Sequence, residues 1–125
     1  MESKEKSYDP DFSKNLIVNL TFEFALGIVT YAELLESNRK FGISNQLIRS
    51  GTSIGANVRE AQNAESNPDF IHKMKIAAKE ADETEYWLLI CKHSASYPDC
   101  EELLTKILSI KKVLSKIISS SKKKN

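Results

Sequence analysis

Residues 51–60, GTSIGANVRE, crowd two glycines, two small hydroxyl side chains and an arginine into ten positions, the residue types that wrap a phosphate. A loop of the G-x-x-x-x-G-K-[ST] kind needs glycines five apart, a lysine after the second and a strand before the first. Here Gly51 and Gly55 are four apart, Ala56 follows, and no strand precedes them, so that chemistry fails on spacing. Di-metal carboxylate sites in helical bundles take two Glu-x-x-His pairs and two more glutamates. The chain has two histidines: Asp69 and His72 keep the i, i+3 offset, but Ile90 stands where His93 would need its carboxylate. His72 is therefore read as a surface residue. Cys91 and Cys100 form neither a C-x-x-C pair nor a disulfide framework, and Cys91 falls on an apolar stripe as a small hydrophobe. No enzymatic activity, metal or cofactor is expected.

One electrostatic feature survives. Lys106, Ser109, Lys112 and Lys116 follow one another at steps of three, three and four, and Lys122, Lys123 and Lys124 come after them. The plain reading is a solvated face that complements a helix C-terminus; the functional one is a row of phosphate contacts. The net charge of +1 supplies no global attraction for a polyanion, and no aromatic residues interleave the row to stack on bases.

The elements that position these groups are helical. Apolar residues recur at steps of three and four in four segments, and none shows sustained alternation, so the fold class is all-α. The first helix is expected over about 10–37, with Asp9 as N-cap and Pro10 in the first turn. The second is expected over 44–64, with Ser44 as N-cap and Ile43 and Ile48 as a hydrophobic staple. The third is expected over 68–93, with Asn67 capping, and the fourth over 99–119, with Asp99 and Glu102 as a capping box and a basic tail at 120–125. Single-domain length and short connections favour an antiparallel up-down-up-down four-helix bundle.

The first helix is apolar on two sides. Ile17, Leu20, Phe24, Ile28, Tyr31 and Leu35 fit a core stripe, while Val18, Phe22, Ala25 and Val29 form a second face suited to a partner subunit. Asn19, Glu23 and Glu33 interrupt the run Leu16–Leu35, so no membrane association is expected, and a cytoplasmic location with reduced thiols follows. Within the second helix, Gly51 and Gly55 are one turn apart among small residues. Two such glycines cost about 1 kcal/mol each in helix propensity, so close approach of another helix is expected there. Arg49, Ser53, Asn57 and Glu60 form a polar row for which Glu80, Glu83 and Glu85 in "KEADETEYW" are the expected partners, as a structural network rather than an active site.

Residues 46–90, "QLIRSGTSIGANVREAQNAESNPDFIHKMKIAAKEADETEYWLLI", resemble the bacterial four-helix-bundle family named for proteins encoded in 23S ribosomal RNA intervening sequences. R-S-G-T-S-I-G-A-N and the later E-T-E-Y-W-L carry the resemblance. It implies an antiparallel four-helix bundle assembled as a ring-like homopentamer, and relates the chain to accessory variability proteins of diversity-generating retroelements, which assist a reverse transcriptase and bind nucleic acid. Arg49, Ser53, Ile54, Asn57, Glu60 and Glu83 match the motif and are carried over as structural. Two functions stay open: a non-enzymatic oligomeric bundle that engages RNA, DNA or a nucleic-acid enzyme, and a scaffold with protein partners alone.

Overall fold

The computed structural model describes residues 15–123, which form four α-helices and no strand. They are α1 (Leu16–Ser37), α2 (Phe41–Ala61), α3 (Asn67–His93) and α4 (Glu101–Lys122). Asp9, Pro10 and Lys124 lie outside the described residues. α1 packs on α2, α2 on α3 and α3 on α4, and α4 closes on α1 through the sparsest of the four seams. Along α2, Ser44, Gly51, Gly55 and Gln62 meet Glu36, Ile28, Thr21 and Asn15 in turn, so partner numbers fall as α2 advances. The same descending order holds where Arg49 and Glu60 meet Glu83 and Lys73, and where Lys92, Glu85 and Asn67 meet Glu101, Lys111 and Ser121.

The helical spacing delivers the core. Phe24, Ile28 and Leu35 of α1 interlock with Leu47 and Ile54 of α2, Met74 and Leu88 of α3, and Ile107, Ile110 and Leu114 of α4, all essentially out of water. α1 is long and apolar enough to cross a bilayer by length and composition, and eight of its residues are buried in this bundle.

The helix ends depart from the sequence expectations. α1 starts at Leu16, where Asn15 Oδ1 accepts from Val18 N at 3.4 Å. It ends in a turn in which Lys40 N reaches Leu35 O at 2.8 Å and Arg39 N reaches Glu36 O at 2.9 Å, with Arg39 at φ 64°. That is the Schellman pattern with arginine in the left-handed position. Ser44 is not a cap: α2 has already begun at Phe41, and the fully buried Ser44 Oγ lies 3.1 Å from both Ala32 O and Glu36 Oε2. Ser66, one residue before Asn67, caps α3 through Asp69 N, while Asn67 Nδ2 donates to Ser121 O at 2.9 Å. Asp99 does not cap α4; Cys100 occupies that position without a side-chain cap, its Sγ donating to Leu88 O at 3.3 Å. Residues 120–122, expected in a tail, continue α4.

Candidate functional site

The glycines of α2 lie against α1. A Cβ built on Gly51 would stand 2.9 Å from Ile28 Cγ1 and 3.0 Å from its Cγ2, and one on Gly55 would stand 3.3 Å from Thr21 Oγ1. The side of α2 that meets α3 is also built from small groups, with Ser50 Oγ and Thr84 Oγ1 bonded at 2.9 Å in a dry environment. Each hydroxyl also bonds backbone one turn earlier, Ser50 to Gln46 O and Thr84 to Glu80 O, which satisfies the buried polar groups. The phosphate-like stretch is thus a surface where two helices approach each other.

The polar row of α2 divides into two. Arg49 bridges to α3, pairing with Glu83 through Nη2 and with Glu80 through Nη1 at 3.4 Å. Glu83 also accepts from Trp87 Nε1 at 3.0 Å, so one carboxylate holds an arginine and an indole in register. Glu60 takes Lys73 of α3 at 2.9 Å, and that bond raises the Lys73 pKa above its ordinary value. Ser53 and Asn57 do not reach α3; their side chains return to Arg49 O and Ser53 O on their own helix. Glu85 faces the other way and meets Lys111 of α4 at 2.5 Å, with Asp82 2.9 Å from the same ammonium. The hydrogen bonds to Glu85 and Asp82 raise the Lys111 pKa.

The lysine row also divides. Lys106 turns toward the α1–α4 seam, where it lines a recess with Gly27, Thr30 and Leu34 and pairs with Glu102 at 3.4 Å. Lys112, Lys116, Lys122 and Lys123 are exposed and make no ion pair among the described residues. Two features escaped the sequence reading. Tyr86 is 59% exposed on α3, next to the Glu85–Lys111 pair, and Leu89 and Leu108 are also exposed on α3 and α4.

Of the four residues expected on the second apolar face of α1, one is lost to the core. Val18 is 6% exposed and belongs to the core. Phe22 and Ala25 are half-buried beside Gly55, Ala56 and Arg59 in a groove of about 120 Å³ between α1 and α2, and Val29 is 38% exposed. The larger exposed groups, Leu16, Leu26 and Leu34, are interleaved with the polar strip of α1.

At the opposite end, Tyr31 Oη donates to Pro98 O at 2.7 Å in the turn before α4. Burial is the main cause that raises the Tyr31 hydroxyl and the Cys91 thiol above their ordinary pKa values and pushes the Cys100 thiol up to about 11. Both thiols are therefore protonated at neutral pH. Among the described residues no group of three or more His, Cys, Asp or Glu side chains is placed to hold a metal ion.

The family described as 23S rRNA-intervening sequence protein matches residues 13–116, most of the chain. The chain belongs to this family. A crystal structure of a protein of unknown function from the S23 ribosomal protein family of Bacteroides thetaiotaomicron is similar to this intervening-sequence protein at 43% identity and a TM-score of 0.77. The similarity covers 82% of this chain and 97% of that one. No curated protein matches the sequence. The family match spans the close-packed glycines, the Arg49–Glu83 bridge, Lys112 and Lys116, whereas Lys122 and Lys123 lie beyond it.

Proposed function

We propose that this intervening-sequence protein is a non-enzymatic antiparallel up-down-up-down bundle that self-associates in the cytoplasm as a homopentamer and binds RNA or DNA through α4. The observation that carries the reading is that Lys112, Lys116 and Lys122 of α4 and Lys123 at its C-cap make no ion pair among the described residues, whereas the other two lysines of α4 are held by carboxylates. Phosphate binding needs cations that are free to exchange counterions. Self-association repeats the set on every subunit, so weak contacts sum through multivalency and a net charge of +1 per chain does not prevent binding. The exposed leucines of α1, with Val29, Phe22 and Ala25, support the self-associating face.

The test is fluorescence anisotropy of labelled single-stranded RNA and duplex DNA against wild type and the Lys112→Glu/Lys116→Glu variant, with oligomeric state followed by sedimentation. The reading expects a weakening on the order of tenfold or more in the variant at low salt, with sedimentation unchanged. The exposed Tyr86, Leu89 and Leu108 favour a second reading, a scaffold with protein partners alone or one that docks on a nucleic-acid enzyme. Absence of binding by either protein supports that one.

A further inference from the structure

The lysine row of α4 has no aromatic residue of its own, but the fold brings one to it from another helix. Where α3 begins and α4 ends, an open cleft of about 680 Å³ is lined by Asn67, Phe70, Lys116, Ile117, Ser120 and Ser121, a size usual for small-ligand sites. Phe70 and Ile117 pack on the core yet are only partly covered. Lys116 and Ser120 are exposed and stand one turn apart on α4, and Lys116 makes no ion pair among the described residues. The hydrogen bond from Asn67 Nδ2 to Ser121 O, at 2.9 Å, ties the two helix ends together, so the ring on α3 and the ammonium on α4 keep a fixed relation.

The lining selects a ligand by its chemistry. It combines an aromatic ring, an aliphatic side chain, hydroxyl and amide groups and one cation, with no carboxylate among them. An anion with a flat apolar part suits that set, and a nucleotide is such an anion. Aromatic side chains beside a basic track are how single strands are held without regard to sequence, because every base has a face to stack. In a duplex the bases are already stacked on one another, and taking one out costs energy. A second cleft between α3 and α4, of about 400 Å³, makes the contrast. It holds Ala78, Ile118 and Lys122 but no aromatic ring, and its Lys111 is already held by Asp82 and Glu85. A phosphate fits there at Lys122, but a base has nothing to stack on.

We propose that the Phe70 cleft seats one unpaired base of a single-stranded nucleic acid, stacked on the Phe70 ring, with the adjoining phosphate at the Lys116 ammonium and the Ser120 hydroxyl. Lys112 lies one turn before Lys116, and Lys123 about one turn beyond Ser120, which sets cations for the neighbouring phosphates of the same strand. This seat rests on the reading of α4 as a phosphate surface and adds the form of the nucleic acid: single-stranded, with one base per subunit drawn out of its stack.

The test is anisotropy at low salt with labelled oligothymidylate and a duplex of equal length, on wild type and on Phe70→Leu, which keeps an apolar contact with the core and removes the ring. The variant should bind the single strand at least about fivefold more weakly and the duplex as wild type does, with the same circular dichroism. Undiminished single-strand affinity in a folded variant overturns the seat and leaves the phosphate reading standing, whereas a wild type that binds neither oligonucleotide overturns both. An equal loss on strand and duplex also overturns the seat, since the ring then makes no contact particular to a single strand. Thymidine monophosphate should compete only at concentrations far above that of the strand; displacement at equal concentration assigns the cleft to a free nucleotide instead. If Phe70→Leu does not fold, wild type carries the test alone. A strand bearing iodouracil and irradiated in the complex should crosslink to the peptide that contains Phe70, and adducts confined to other peptides overturn the seat.

Discussion

Gly51→Ala adds a single carbon at the tightest point of the α1–α2 contact. That carbon would stand 2.9 Å, 3.0 Å and 3.2 Å from three carbons of Ile28, and favourable carbon–carbon separations are about 3.5–4.0 Å. Ile28 has no easy retreat, because it is fully buried and its β-branched side chain is stiff at χ1. Overpacking of this kind costs about 1–3 kcal/mol. The better helix propensity of alanine returns about 1 kcal/mol, so the net loss is about 1 kcal/mol. Gly42 supplies the internal control: it also lies in α2, nothing stands within 4 Å of its Cβ position, and the propensity gain there is unopposed. Gly55 falls between them, with Thr21 atoms at 3.3–3.4 Å, so gain and crowding nearly cancel. Urea unfolding followed by circular dichroism should rank the alanine variants Gly42 above Gly55 above Gly51, with about 2 kcal/mol across the series. All must be compared at one protein concentration, because association adds to apparent stability. Gly51→Leu should destabilise the bundle or its assembly by overpacking, again by about 1–3 kcal/mol. A Gly51→Ala protein as stable as Gly42→Ala would refute the account of the helix contact.

Arg39→Gly removes a left-handed non-glycine residue from the end of α1 and should raise stability by about 1 kcal/mol in the same assay. Glu83→Gln keeps the Trp87 hydrogen bond but uncharges the Arg49 partner; since Arg49 is half exposed, the loss should stay below about 1 kcal/mol, with the tryptophan emission unchanged. On the alkaline side the signs agree. Cys100, Cys91 and Tyr31 all have folded pKa values raised by burial, so their contribution is present below the unfolded values. For Cys100 it is lost as pH climbs from 9.0 through about 11, and Cys100→Ala should flatten that part of the stability profile.

The core was legible because a stripe at steps of three and four has one solution: Leu47, Gly51, Ile54, Val58 and Ala61 all turn inward. Caps were less so. Ser66 and Asn67 are adjacent residues with equally good capping side chains, and the Asn67–Ser121 bond between α3 and α4 decides which of them caps. Ser44 reads as a cap in sequence, but a small hydroxyl is also what lets α2 lie against the Ala32 carbonyl. The lysine row misled because its steps drift. At about 100° per residue, Lys106 is turned about 120° from Lys112, enough to place it over the α1 seam. Val18, expected on the partner-facing side, is buried because α2 approaches α1 so closely at Gly55 that the flank bearing Val18 is covered, an effect of small residues on another helix.

The central claim is that the unpaired lysines of α4 contact phosphate, and the most direct measurement is how nucleic-acid affinity depends on salt. The logarithm of the binding constant falls linearly with the logarithm of salt concentration, with a slope proportional to the phosphates neutralised. Wild type should show a steep slope that is insensitive to base sequence, and Lys112→Glu/Lys116→Glu a shallower one with weaker binding and the same sedimentation. Equal slopes and equal affinities for the two proteins would contradict the claim and remove this face of α4 from the account.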